Sequence, residues 1–345
     1  MSPLLELART NLAMAVLIGS TVGMLGIAIG FMVAASILRR ANNRKAAQWA
    51  RYEVNWRVAV EYVARGLAGP ETLHDNVPAE QRLTLLDYLY KSSLAETRPE
   101  RKQLFAKLAQ PHLPYLGDRV RKGDMWQRAR ALHTIAELGG HDQGALILEA
   151  LDDPSAHVAM TAARAYSRLR VGPIEPLLTR IERYQSWDRR LLRLTLTSLG
   201  PEVAPALHAR FANPQQPVYT RVVCGDALAN LKYDGANEAA VEILENEIDV
   251  DLRAAALRVI RAPATDAQRM IVRSLCASEE AVLRAQAVAC LARIGDPADA
   301  DSLEAALTDL SPWVVLNAKK GLTSLSLTGT ELAAHVHAGS AGEWE

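Results

Sequence analysis

One pattern recurs seven times between residues 118 and 325, and it leaves few folds open. Arg128, Ala159, Arg189, Arg221, Arg253, Arg284 and Val315 follow one another at spacings of 31, 30, 32, 32, 31 and 31 residues. Three residues after each stand Ala131, Ala162, Leu192, Cys224, Ala256, Ala287 and Ala318. Seven after stand Ile135, Tyr166, Leu196, Leu228, Ile260, Leu291 and Leu322, and ten after stand Leu138, Leu169, Leu199, Leu231, Pro263, Ile294 and Leu325. Offsets of 0, 3, 7 and 10 share one face of a helix, so each unit contains a helix with a buried side. Second apolar runs such as ALILEAL (145–151), APALHARF (204–211) and ADSLEAAL (300–307) lie between these helices. Each unit therefore reads as a helical hairpin, too small to cover its own apolar face until neighbours stack on it.

Composition agrees with an all-α chain. Aromatics make up 5% of the residues, too few to favour a β-sandwich. The 39 basic and 39 acidic residues cancel, which argues against a surface wholly committed to nucleic acid. Cys224, Cys276 and Cys290 are too few and too widely spaced for a disulfide framework or a CxxC zinc site, and read as buried thiols in a reducing compartment.

Ahead of the repeats, residues 12–38 form a run of 27 without a charge. As a helix this run is about 40 Å long, against about 30 Å of bilayer hydrocarbon. It reads as an uncleaved transmembrane helix, because its charges follow it instead of preceding it. Arg39, Arg40, Arg44, Lys45 and Arg51 then place the remainder on the cytoplasmic side by the positive-inside bias, with residues 1–11 as a short extracytoplasmic arm. The localisation expected is a bacterial-type inner membrane, single-pass. Within the run, Ala15, Gly19, Gly23, Gly26, Gly30 and Ala34 lie on one face, a stripe on which a second helix can approach closely. The partner for that stripe is either a second copy or another membrane protein; ordinary membrane composition is the alternative.

Residues 39–117 read as a helical connector. Trp49, Tyr52, Trp56, Val60, Val63 and Leu67 form an apolar stripe that either lies at the bilayer interface or packs on the helices that follow. Further helices are expected from Pro78 and Pro99, proline being tolerated in a first turn.

The segments VLRAQAVACLARIG (282–295) and WQRARALHTIAELG (126–139) resemble HEAT repeats, in particular the short subtype first associated with phycobilin lyases. The resemblance extends over residues 118–325 and implies a right-handed α-solenoid, followed by a flexible tail at 326–345. It also implies pairing between an aspartate in the turn and the arginine at a helix start. Asp153 and Asp309 stand six residues before an aligned position and Glu247 substitutes, while Lys122, Arg183, Gln215 and Ser278 break the pattern.

No chemistry emerges. A hydroxylase branch of the superfamily holds iron with His-Glu pairs, and this chain has no such dipeptide. The eight histidines are dispersed, no phosphate loop follows a strand, and Asp152-Asp153 sits where a helix cap is expected. No catalytic residue, metal or cofactor is expected. What remains is the face at offsets 2, 5 and 9, where Arg130, Arg164, Arg168, Arg258 and Arg293 surround Leu191, Leu194 and Val223. A basic rim around an apolar centre fits a protein-binding groove on the concave side. The expectation is a scaffold that holds a protein partner, such as a membrane-embedded machine, at the membrane. A lyase or isomerase acting on a small molecule is the alternative; nucleic acid is disfavoured by Asp226 and by the acidic segment 234–251.

Overall fold

The structure, a computed structural model, describes residues 3–74 and 77–325; the expected tail at 326–345 lies outside these. Contacts divide the chain into two compact units between Pro111 and His112.

In the first unit, α1 (Pro3–Ala64) runs unbroken through the expected arm from Pro3, the apolar run and the start of the connector. The i,i+4 pairs Glu53–Arg57 and Glu61–Arg65 support its final turns. Gly66, at φ 70°, ends it in the left-handed conformation that glycine adopts without strain. One window of α1, Gly23–Arg40, is long and apolar enough to cross a bilayer, and none of it is buried. Open space surrounds Gly23, Gly26 and Gly30, and Ala34 is exposed. The side chains of Ala15 and Gly19 lie outside the described set. After α2 (Glu71–His74) come α3 (Arg82–Ala95) and α4 (Pro99–Ala109). Trp56 and Val60 are buried with Leu73, Leu85, Leu86 and Leu89, and the Trp56 ring lies 5.7 Å from that of Tyr88. Lys91 sits 4.4 Å over the Trp49 ring. The aromatic stripe thus packs on the following helices, apart from Leu67, which is exposed.

The second unit is a stack of hairpins. Each pairs a first helix with a second: α5 (Gly117–Lys122) with α6 (Met125–Glu137), α7 (Gly144–Ala150) with α8 (Ala156–Leu169), and α9 (Glu175–Leu178) with α10 (Arg189–Thr197). Then come α11 (Ala204–Ala212) with α12 (Val218–Leu231), α13 (Asn237–Asn246) with α14 (Val250–Val259), and α15 (Asp266–Leu275) with α16 (Ala281–Ile294). The last pair is α17 (Ala300–Ala305) with α18, over residues 312–325. Second helices pack on second helices from α6 to α16, and among the first helices α5 packs on α7 and α13 on both α11 and α15. No strand occurs among the described residues.

The register follows the sequence repeat. All seven residues at offset 3 are 2% exposed or less, and six of them, Leu192 being the exception, are small enough to let neighbouring second helices approach. The helices also end in register. At offset 11 the backbone is left-handed in Gly139, Gly200 and Gly295, and also in Arg170 and Lys232. Helix α14 departs from this by stopping at Val259. Pro263, expected on its buried face, is exposed beyond its end, because proline restricts the residue before it and cannot donate within a helix.

Candidate protein-binding groove

A groove of about 400 Å³ crosses three consecutive second helices. Its walls are His133 and Ala136 from α6, Thr161, Arg164, Ala165 and Arg168 from α8, and Leu191, Leu194, Thr195 and Ser198 from the α10 region. It therefore brings together four residues expected at a binding face: Arg164, Arg168, Leu191 and Leu194. The two threonine hydroxyls donate within their own helices, Thr161 to the His157 carbonyl at 2.8 Å and Thr195 to the Leu191 carbonyl at 2.9 Å.

The two arginines differ. Arg168 is held at 2.6 Å by Glu137, whose side chain is 3% exposed. Arg164 is exposed and makes no ion pair among the described residues. One unbalanced guanidinium therefore faces an apolar floor.

The remaining expected residues lie elsewhere. Arg130 is exposed on α6 outside the groove lining. Val223, expected in the apolar centre, is buried. The reason is that α12 packs against α10, α11 and α14 together, so every residue from Thr220 to Leu228 is covered and no solvent face survives at offset 2. Arg258 is drawn into an ion pair with Asp226 at 2.7 Å, with Arg189 a further 3.7 Å from the same carboxylate. Arg293 donates to the Leu257 and Ile260 carbonyls, capping the end of α14. These two arginines tie adjacent units together, and the groove is confined to the first three hairpins.

A row of rings at offset −2 is absent from the expected set. Trp126, His157 and Trp187 stand two residues before successive aligned positions, with ring centroids 5.4 Å and 6.2 Å apart. Trp126 is 69% exposed. On α8, His157, Thr161, Arg164 and Arg168 share one face by their spacing, so the row borders the groove. These rings recur with the repeat, about one turn before the exposed face at offset 2.

The arginine ladder runs between units. Arg128 pairs with Asp153, Arg221 with Glu247 and Arg284 with Asp309, each acid belonging to the turn of the following hairpin. These arginines also donate to carbonyls of their own hairpin, at Gly123, Phe211 and Ser278.

No group of His, Cys, Asp or Glu suited to a metal ion occurs among the described residues. Burial pushes the thiols upward, Cys224 and Cys276 to about 12 and Cys290 to about 11, which leaves them poor nucleophiles.

No curated protein matches the chain by sequence. Among solved structures it is similar to an engineered protein at 16% identity, covering 70% of this chain and 78% of that one with a TM-score of 0.37. It is also similar to human deoxyhypusine hydroxylase in complex with glycerol, at 18% identity, with 78% and 96% covered and a TM-score of 0.31. The karyopherin Kap121p bound to the extreme C-terminus of the protein phosphatase Cdc14p is similar at 13% identity; 73% of this chain but only 34% of the karyopherin is covered, with a TM-score of 0.41. The family model for HEAT repeats matches residues 237–322, from α13 into α18, and the hairpins of the second unit repeat that helical arrangement.

Proposed function

We propose that this protein is a membrane-anchored scaffold whose repeat unit binds a protein partner and holds it at the cytoplasmic face of a bacterial-type inner membrane. The observation that carries the reading is the groove over α6, α8 and α10, with an apolar floor and the unpaired Arg164. An apolar centre with a charged rim is the usual anatomy of a protein interface. The exposed apolar window Gly23–Arg40, followed by basic residues, supports anchoring and orientation. The free face at Gly23, Gly26 and Gly30 accommodates a helix of a second copy or of a membrane-embedded machine.

The test compares the full chain in detergent with a chain lacking residues 1–40, each used to recover cross-linked partners from membranes. Co-purification of one partner that depends on both the anchor and an unaltered groove is expected. Equal recovery after Leu194→Asp would remove the groove from the account. A periplasmic reporter active when fused after Glu345 would overturn the orientation.

A further inference from the structure

Building on the groove reading, we propose that the first three hairpins bind an extended, acidic segment of the partner, with a carboxylate on Arg164 and an aromatic or proline side chain against the Trp126–His157–Trp187 row. The groove runs across the helices and not along one of them, since its walls come from α6, α8 and the α10 region in turn. Adjacent packed helices lie about 8–10 Å apart, so an occupant touching all three spans about 20 Å, which about six extended residues cover at about 3.3 Å each. The ring row runs the same way, from one hairpin to the next. His157 stacks on Trp187 within the row, and the exposed Trp126 ring at its end gives a side chain of the occupant a stacking surface.

Charge selects the sign. The lining contains Arg164, Arg168 and His133 and no carboxylate; Glu137 beside it is buried against Arg168, and Asp124 and Asp188 next to the ring row accept amides at the starts of α6 and α10. With the threonine hydroxyls bonded to backbone, Arg164 is the free polar group offered to a ligand, and a guanidinium takes a carboxylate in a bidentate pair. A single-stranded nucleic acid also stacks on rings, but it needs cations that continue along its backbone. The track ends at the next second helix, where Asp226 is clamped by Arg189 and Arg258.

The test is selection of random dodecapeptides on the full chain in detergent micelles. Selected peptides should pair Asp or Glu with an aromatic residue or proline. A fluorescein-labelled copy of the best should lose about tenfold or more in affinity with Trp126→Ala and with Arg164→Glu, the scale of one hot-spot side chain. Both positions are exposed, so far-UV circular dichroism should be unchanged. No enrichment, enrichment without acidic residues, retained binding in both variants, or equally tight binding of a labelled oligothymidine would overturn the proposal. The groove reading is separable: a partner lost with Leu194→Asp but kept with Trp126→Ala and Arg164→Glu sinks the acidic-segment proposal alone.

Discussion

Arg284 in α16 reaches out of its own hairpin and grips Asp309 in the next, with Nε 2.7 Å and Nη2 3.1 Å from the two carboxylate oxygens. The aspartate in turn accepts the Ser311 amide at 2.7 Å, fixing the start of α18. Asp153 repeats the arrangement with Arg128 and the Ser155 amide. The acid therefore stands 25 residues after its arginine, and a unit with no arginine of its own, such as that of Ala159, still serves the unit before it.

This offset predicts where the ladder can be completed. Arg253 should find its acid at position 278, but Ser278 stands there and the Arg253 Nε is buried without a partner. Ser278 already accepts the Glu280 amide, as Asp309 accepts that of Ser311. Ser278→Asp should raise stability by about 0.5–1 kcal/mol, read as a higher urea midpoint with unchanged slope. A lower midpoint would mean that the pairing is not transferable.

The same acid makes stability depend on pH. The Arg284 guanidinium and the Ser311 amide hold Asp309 below the usual aspartate range. A depressed carboxylate contributes fully above its unfolded pKa of about 3.9 and loses that contribution as pH falls through the folded value. The stability gap between the parent and Asp309→Asn should be widest at neutral pH and close below about pH 4. Urea titrations across that range check it; a gap that widens on acidification contradicts the assignment.

Lys232 is exposed and closes α12 at φ 58°, where three equivalent positions carry glycine. A side chain in that conformation costs about 1 kcal/mol. Lys232→Gly should raise the thermal midpoint, whereas Gly295→Ala, at φ 73°, should lower it.

Gly225 sits where α12 meets two neighbours. A Cβ there would lie 2.8 Å from the Phe211 ring and 3.3 Å from the Ala255 methyl. Alanine normally gains about 1 kcal/mol over glycine within a helix, but overpacking costs about 1–3. Phe211 is fully buried and has no room to retreat, so Gly225→Ala should destabilise. A raised unfolding midpoint would show that the hairpins can slide.

The repeat was legible because burial recurs with the same period as the hairpin: the small residues at offset 3 and the turn glycines mark it without reference to tertiary contacts. The groove was legible in part, since Arg164, Arg168, Leu191 and Leu194 lie on exposed faces of their own helices. Val223 was not, because helical periodicity reports one buried face and α12 is covered on several. Nor was the bond from Arg168 to Glu137, or from Arg258 to Asp226, which depend on how far adjacent hairpins are rotated. The direction of the ladder was hidden for the same reason: spacing alone does not distinguish a pair within a hairpin from one between hairpins.

The account's central claim, a groove whose charged rim at Arg164 holds the partner, is tested most directly by reversing that charge alone. Arg168 is unsuitable, since a carboxylate there would face the buried Glu137 and disturb folding. The measurement is recovery of the cross-linked partner by the full chain carrying Arg164→Glu, beside a control with Glu242→Lys and Glu245→Lys on α13. The account predicts that the partner is lost with Arg164→Glu and kept with the control, at equal helical content. A partner retained with Arg164→Glu and lost with the α13 reversal would place the contact on the acidic segment and contradict the groove.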